Sequence, residues 1–268
     1  MRSAPPPLTQ PPCHAATPPT PAAVLAALAG LRPGTSCCPG TLARRLGTTS
    51  AALRPILAPL AASRHRWEHV LGNHDFALLD GEKTQVDARL GVTARHRYFD
   101  RPGFRFVVLD TGAVSTYATL AGSEARKEAV AELARVKARK LPQAQDWNGA
   151  VGPKQLAWFE GVAADAAKRG LKVVVFAHHP VAPVGAYDAW DATEILVALG
   201  RHRNVVAWFN GHHHAGGFAQ VEGLPCVTFH GMVETPDTNA FATARFLADR
   251  MILAGHGREP SRELIFRV

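Results

Sequence analysis

The stretch Leu171-Lys172-Val173-Val174-Val175-Phe176-Ala177-His178-His179-Pro180 decides how this chain is read. Its continuous Val/Phe run is that of a strand buried on both faces, and the run ends on two imidazoles and a proline. Taken alone, that ending is equally a strand terminus fixed by the proline. Working outward, Pro153 to Arg169 predicts a helix, with Pro at its start, Leu156, Phe159, Val162 and Ala163 on one side, and Gly170 as its stop. Downstream, Thr193 to His202 predicts a helix and Val205 to Phe209 a strand that runs into Gly211-His212-His213-His214. Upstream, Trp67 to Leu71 leads into Gly72-Asn73-His74-Asp75, and Phe104 to Leu109 ends at Asp110-Thr111-Gly112. Shorter strands are expected at Val227 to His230, Phe241 to Leu247 and Met251 to Gly255. Strands alternating with helices, followed by several strands, predict an α/β sandwich with ligands at the C-terminal ends of successive strands.

Three such strand ends carry metal-type side chains. Gly and Asn are also ordinary turn residues, so Gly72-Asn73 alone proves little. The Gly-His-His-His run is harder to explain structurally, because clustered imidazoles repel when protonated and gain nothing in a core. Residues 212 and 214 project to the same side if the backbone is extended, so two imidazoles address one centre. The three motifs in this order predict a metal site.

These motifs resemble those of the calcineurin-like metallophosphoesterases, whose ordered signature is D-x-H, GD-x-x-D, GNH-D/E, H-x-P and GH-x-H. The chain is most similar to the manganese-dependent ADP-ribose/CDP-alcohol diphosphatase group. That likeness extends to Trp147-Asn148-Gly149, Gln155-Leu156-Ala157-Trp158, Gly231-Met232-Val233-Glu234-Thr235 and Gly257-Arg258-Glu259-Pro260-Ser261-Arg262, and covers about residues 65 to 268. The resemblance implies an α-β-β-α sandwich. It assigns Asn73, His178 and His212 to one metal and His214 to the other, with His74 protonating the leaving oxygen or stabilising charge in flight. It also implies hydrolysis of a phosphoanhydride or phosphoester by a metal-activated hydroxide, the substrate being a small phosphate ester or a nucleoside diphosphate linked to a sugar or alcohol. His179 and His213 fall at variable positions of their motifs and read as neighbours rather than ligands.

The departures are as informative. Residues 1–67 contain no Asp or Glu, so D-x-H and GD-x-x-D are missing, and the N-terminal strands of the sandwich are expected to be missing or aberrant. One centre keeps three ligands and the other a single one. The chain as written is therefore expected to bind about one divalent ion tightly and to be a poor catalyst. Imidazole-rich ligation suits Zn, Co or Ni as well as the family's Mn. An alternative is a degenerate relative that binds a metal or nucleotide without turnover. Residues 1–48, rich in Pro and Arg and devoid of Lys, predict a disordered or out-of-frame segment, because shifted GC-rich codons yield Pro, Arg, Ala and Cys with few acids. Residues 49–268 then form the phosphoesterase domain, with a helical insertion at about 113–150. A helix is expected over 50–63, and an amphipathic one over Ser123 to Lys140 with Val130, Leu133 and Val136 on one face.

Charge narrows the partners. The net +8 divides into +7 from seven Arg and no acid in residues 1–67, and +1 in the rest, so neither nucleic acid nor a membrane surface is an expected partner. Cys37 and Cys38 are adjacent and Cys226 stands in a strand-like run, so no disulfide framework is indicated and a cytoplasmic setting is expected. Tyr98, Trp147 and Asn148 read equally as base or sugar contacts and as packing or turn residues.

Overall fold

A computed structural model of the chain describes residues 67–267 apart from 233 and 236, together with 36–37 and 62. The expectations for 1–48 and for a helix over 50–63 lie outside the described residues, except for the strand β1 at Ser36–Cys37, which pairs in parallel with β2 at Glu68–His69. The later elements, in chain order, are a single helical turn α1 (Val86–Arg89), β3 (Arg97–Arg101), β4 (Phe104–Val108), β5 (Val114–Ser115), α2 (Glu124–Ala138), β6 (Gly149–Ala150) and α3 (Pro153–Lys168). They continue with β7 (Lys172–Phe176), α4 (Ala192–Gly200), β8 (Val205–Asn210), β9 (Gly217–Val221), β10 (Leu224–Thr228), β11 (Ala240–Phe246), β12 (Arg250–Gly257) and β13 (Arg262–Ile265).

The main sheet has the order β3-β4-β7-β8-β10-β9. Its four inner strands are parallel, and β3 and β9 close the ends antiparallel. Period-two alternation sends the two faces of β7 to different layers. Val173 and Val175 pack under α3 and α4 with Phe159, Ala163, Ile195 and Leu199. Val174 faces the other way, with Phe209 and Val227, onto Met251, Leu253 and Leu264 of the antiparallel sheet β11-β12-β13 and onto Phe266 just beyond it. Burial on both faces explains why β7 and β8 read as unbroken apolar runs. This is the two-sheet core of the α-β-β-α sandwich that the resemblance implies; among the described residues the helices packed on it, α3 and α4, cover the main sheet.

Local signals place the helices closely. Ser123 caps α2, its Oγ accepting from Arg126 N at 3.1 Å. Gly170, at φ +65°, ends α3 in the left-handed conformation a side chain disfavours. The expected face of α2 needs correcting: Ala129, Leu133 and Val136 are buried, while Val130 is half exposed. The small Ala129 allows close approach, which turns the stripe by one residue. Strands β3, β5, β6, β9 and β13 lie outside the strands expected from the sequence, and the strand expected at Val227 to His230 lies earlier, at Leu224–Thr228. The segment 113–150 holds α2 between β5 and β6, which pair with each other and bring residue 148 back to the sheet edge.

Candidate metal centre

Parallel neighbours β7 and β8 end side by side. Their continuations stay together because Gly211 N donates to His178 O at 3.1 Å, so His178 and His212 leave the same sheet edge. Asn73 arrives from a tight 3-10 turn, Asn73–Phe76, that follows β2. His178 Nε2 lies 3.1 Å from Asn73 Oδ1 and 2.9 Å from His212 Nδ1, and all three residues are buried. Gly72 makes this possible: a Cβ there would stand 2.3 Å from His178 Cε1, so the imidazole rests against bare backbone.

The extended backbone assumed at residue 212 does not occur. His212 adopts φ +65°, so His212 and His214 do not share a side by simple alternation. His212 turns toward His178. His214 instead pairs with Glu234, Nδ1 to Oε1 at 2.7 Å, and its ring centroid lies 6.3 Å from that of the buried His74. All five residues singled out from the sequence thus lie in two adjoining groups, Asn73–His178–His212 and His74–His214.

His179 joins the first group spatially, its ring centroid 4.3 Å from that of His212. One ligand atom from each of His178, His179 and His212 falls within 4.8 Å of the others. Its hydrogen bonds separate it from them. Thr111 Oγ1 lies 2.7 Å from His179 Nδ1, and His179 Nε2 points to Trp147 O at 3.5 Å. Burial holds the pKa of His178 and His212 well below the usual imidazole range, with neighbouring imidazoles adding to the effect, and pushes His179 down to about 3. The rings are neutral at pH 7, the form in which nitrogen lone pairs can take a cation.

The donor set fits a divalent ion. One amide oxygen and two imidazole nitrogens converge in a buried corner, and the remaining ring nitrogen of His178, Nδ1, is buried without a hydrogen-bond partner among the described residues. Asp110, just beyond β4, is turned to its own loop and accepts from Gly112 N at 2.8 Å. Glu234 reaches the site through His214. Sequence spacing could not reveal that pair, nor the contact of Asn148 Oδ1 with His212 Nε2 at 2.9 Å, because both depend on loops folding back to the sheet edge.

Asp75 adds a proton-linked element. Its Oδ2 accepts from Gly72 N at 2.8 Å, and burial raises its pKa to about 7, opposed by that hydrogen bond. The folded state therefore holds a proton that the unfolded chain has released, and stability falls as pH rises from about 4 to 7. In the metal-free protein, Asp75→Asn should keep the Gly72 bond and remove this slope. Its stability relative to wild type should improve by roughly 3 kcal/mol between pH 5 and pH 8 in chemical denaturation. Parallel stability–pH curves for the two proteins would contradict the assignment.

The profile of the calcineurin-like phosphoesterases matches residues 42–216. A manganese-dependent ADP-ribose/CDP-alcohol diphosphatase of Bos taurus is 31% identical over 180 residues, covering 62% of this chain and 53% of that protein. The chain thus spans about half the length of that relative. The protein of the same name from Danio rerio is 28% identical over 251 residues, covering 80% of this chain and 77% of the relative. A crystal structure of a dimetal phosphatase from Danio rerio superposes with a TM-score of 0.75 at 28% identity, covering 85% of this chain and 80% of that one.

Proposed function

The chain belongs to the calcineurin-like phosphoesterase family, and on that premise we propose that it is a metal-dependent hydrolase of phosphoanhydride bonds in small nucleotides. The substrate class is a nucleoside diphosphate carrying a sugar or an alcohol, as the names of its relatives specify for those proteins. The observation that carries the reading is the buried corner of Asn73 Oδ1, His178 Nε2 and His212 Nδ1, assembled from three separate segments.

In this reading Asn73, His178 and His212 hold the principal divalent cation. His214, steadied by Glu234, holds a weaker second position. Manganese is the ion named for the relatives, and the two imidazoles also suit Zn, Co or Ni. A bound cation supplies Lewis-acid neutralisation of the phosphoryl oxygens. His74, buried beside His214, supplies a proton to the departing oxygen. The low-dielectric walls of the corner keep the ligand imidazoles neutral and so ready to bind.

Residues 49–268 are taken as the working domain, with 113–150 as an insertion that returns Asn148 to the site. Among the described residues no helix is long and apolar enough to cross a membrane. A small-molecule partner, supported by the near-neutral charge of residues 68–268, and a cytoplasmic setting, supported by the lack of a disulfide framework in the cysteine spacing, complete the proposal. Incubating the full chain with ADP-ribose or a CDP-alcohol and Mn should release two phosphomonoesters per substrate, and a chelator should stop the release. Tight metal binding without product would favour the degenerate module that the missing D-x-H and GD-x-x-D motifs suggest.

A further inference from the structure

We infer that Asn148 is the positioning residue of the metal corner, fixing His212 in the tautomer that turns its Nδ1 lone pair toward Asn73 and His178. The inference rests on the metal reading above, but its first test does not depend on a metal being bound.

Asn148 has no solvent exposure. Its Nδ2 donates to Gln143 O at 3.0 Å and to Ala186 O at 2.7 Å, which uses both amide hydrogens. Flipping the amide would set Oδ1 against two carbonyl oxygens, so the orientation is dictated. Oδ1 must therefore face His212 Nε2 at 2.9 Å, and only a protonated Nε2 can donate to it. In a neutral ring the proton on Nε2 leaves Nδ1 bare, and Nδ1 is the atom 2.9 Å from His178 Nε2.

The loop bearing Asn148 is itself held. Trp190 Nε1 donates to Gln145 O at 2.9 Å, Thr116 Oγ1 to Asp146 O at 3.1 Å, and Trp190 N to Gly149 O at 2.8 Å. The adjacent Trp147 carbonyl faces His179 Nε2, so one loop engages the imidazoles from both motifs. Side chains that hold the second nitrogen of a ligand histidine raise metal affinity by fixing ring and tautomer.

Two variants separate this role from simple packing. Asn148→Leu loses both donations from Nδ2 and the acceptor, whereas Asn148→Asp, its second oxygen protonated so as to donate to Ala186 O, keeps the oxygen that accepts from His212 Nε2. Long-range nitrogen–proton NMR on the metal-free, histidine-labelled full chain should find His212 as the Nε2–H tautomer in wild type and in Asn148→Asp, and mixed in Asn148→Leu. Calorimetric titration with Zn should give affinity about 10- to 100-fold weaker for Asn148→Leu, with Asn148→Asp within about threefold of wild type. Equal affinities and tautomers for the two variants would overturn the inference. So would an Nδ1–H tautomer in wild type, a result that stands even if either variant fails to fold. A wild-type chain that binds no divalent ion would instead sink the proposed function, while the wild-type tautomer would still decide the part played by Asn148.

Discussion

Replacing His178 or His212 with alanine is expected to weaken divalent-metal binding by about 10²- to 10³-fold. Structural zinc sites bind with roughly 10–16 kcal/mol shared among four ligands, or about 3–4 kcal/mol for each inner-sphere bond lost. Both residues supply a nitrogen to the corner. His179 is equally buried and equally close, so proximity does not distinguish it. Its Nδ1 meets Thr111 Oγ1 at 2.7 Å, and its Nε2 turns to the Trp147 carbonyl, which leaves no nitrogen for a cation. His179→Ala should therefore cost stability and change metal affinity less than about threefold. Calorimetric titration of the three variants checks this, and three equal losses would show that His179 is a ligand after all.

Arg105→Ala is expected to lower stability by about 2–3 kcal/mol, because it removes a buried guanidinium and its four hydrogen bonds, while the carboxylates left behind, Asp100 and Asp165, are partly exposed and can be rehydrated. The Arg105 side chain has no solvent exposure. Its guanidinium donates to Asp100 Oδ1 at 2.8 Å and Oδ2 at 3.0 Å, to Asp165 Oδ2 at 2.7 Å and to Val162 O at 3.0 Å, and Cζ stacks 4.2 Å from the Tyr98 ring centroid. These partners belong to β3 and α3, so one side chain ties the sheet edge to the helix layer. Hydrogen bonds and charges from Asp100 and Asp165 hold the guanidinium pKa above its ordinary value, and the cation is permanent. Arg105→Lys should recover only part of the loss, since an ammonium cannot bridge both carboxylates with the same fork. Guanidinium denaturation measures the difference, and a loss below about 1 kcal/mol would mean that water replaces the network.

What the sequence made legible and what it hid differ in kind. Strand β7, helix α3 and the delivery of His178 and His212 to one edge follow from local signals: an apolar run, Pro153 at a helix start, and Gly170 in the left-handed conformation at its end. The positions of Asn73, His74 and His214 followed from motif order. Local patterning could not show the left-handed backbone at His212, because a non-glycine residue takes φ +65° only where tertiary contacts hold it there. Asn148 and Glu234 were hidden for a related reason. Both stand in stretches that the family likeness marks, but each meets its histidine across a separation in sequence, 64 residues for Asn148 and His212, that no local pattern bridges. Edge strands β9 and β13 lack the unbroken apolar runs of β7 and β8 because alternate residues face solvent. The stripe on α2 was misplaced by one residue because Ala129, not the larger Val130, fits the close approach.

The metal corner itself can be tested by anomalous diffraction from crystals of the full chain soaked in Mn or Zn. A single strong peak within about 2.0–2.3 Å of Asn73 Oδ1, His178 Nε2 and His212 Nδ1 is the predicted result, with any second, weaker peak beside His214. A map with no peak at the three-atom corner, or with its strongest peak elsewhere, would contradict the account.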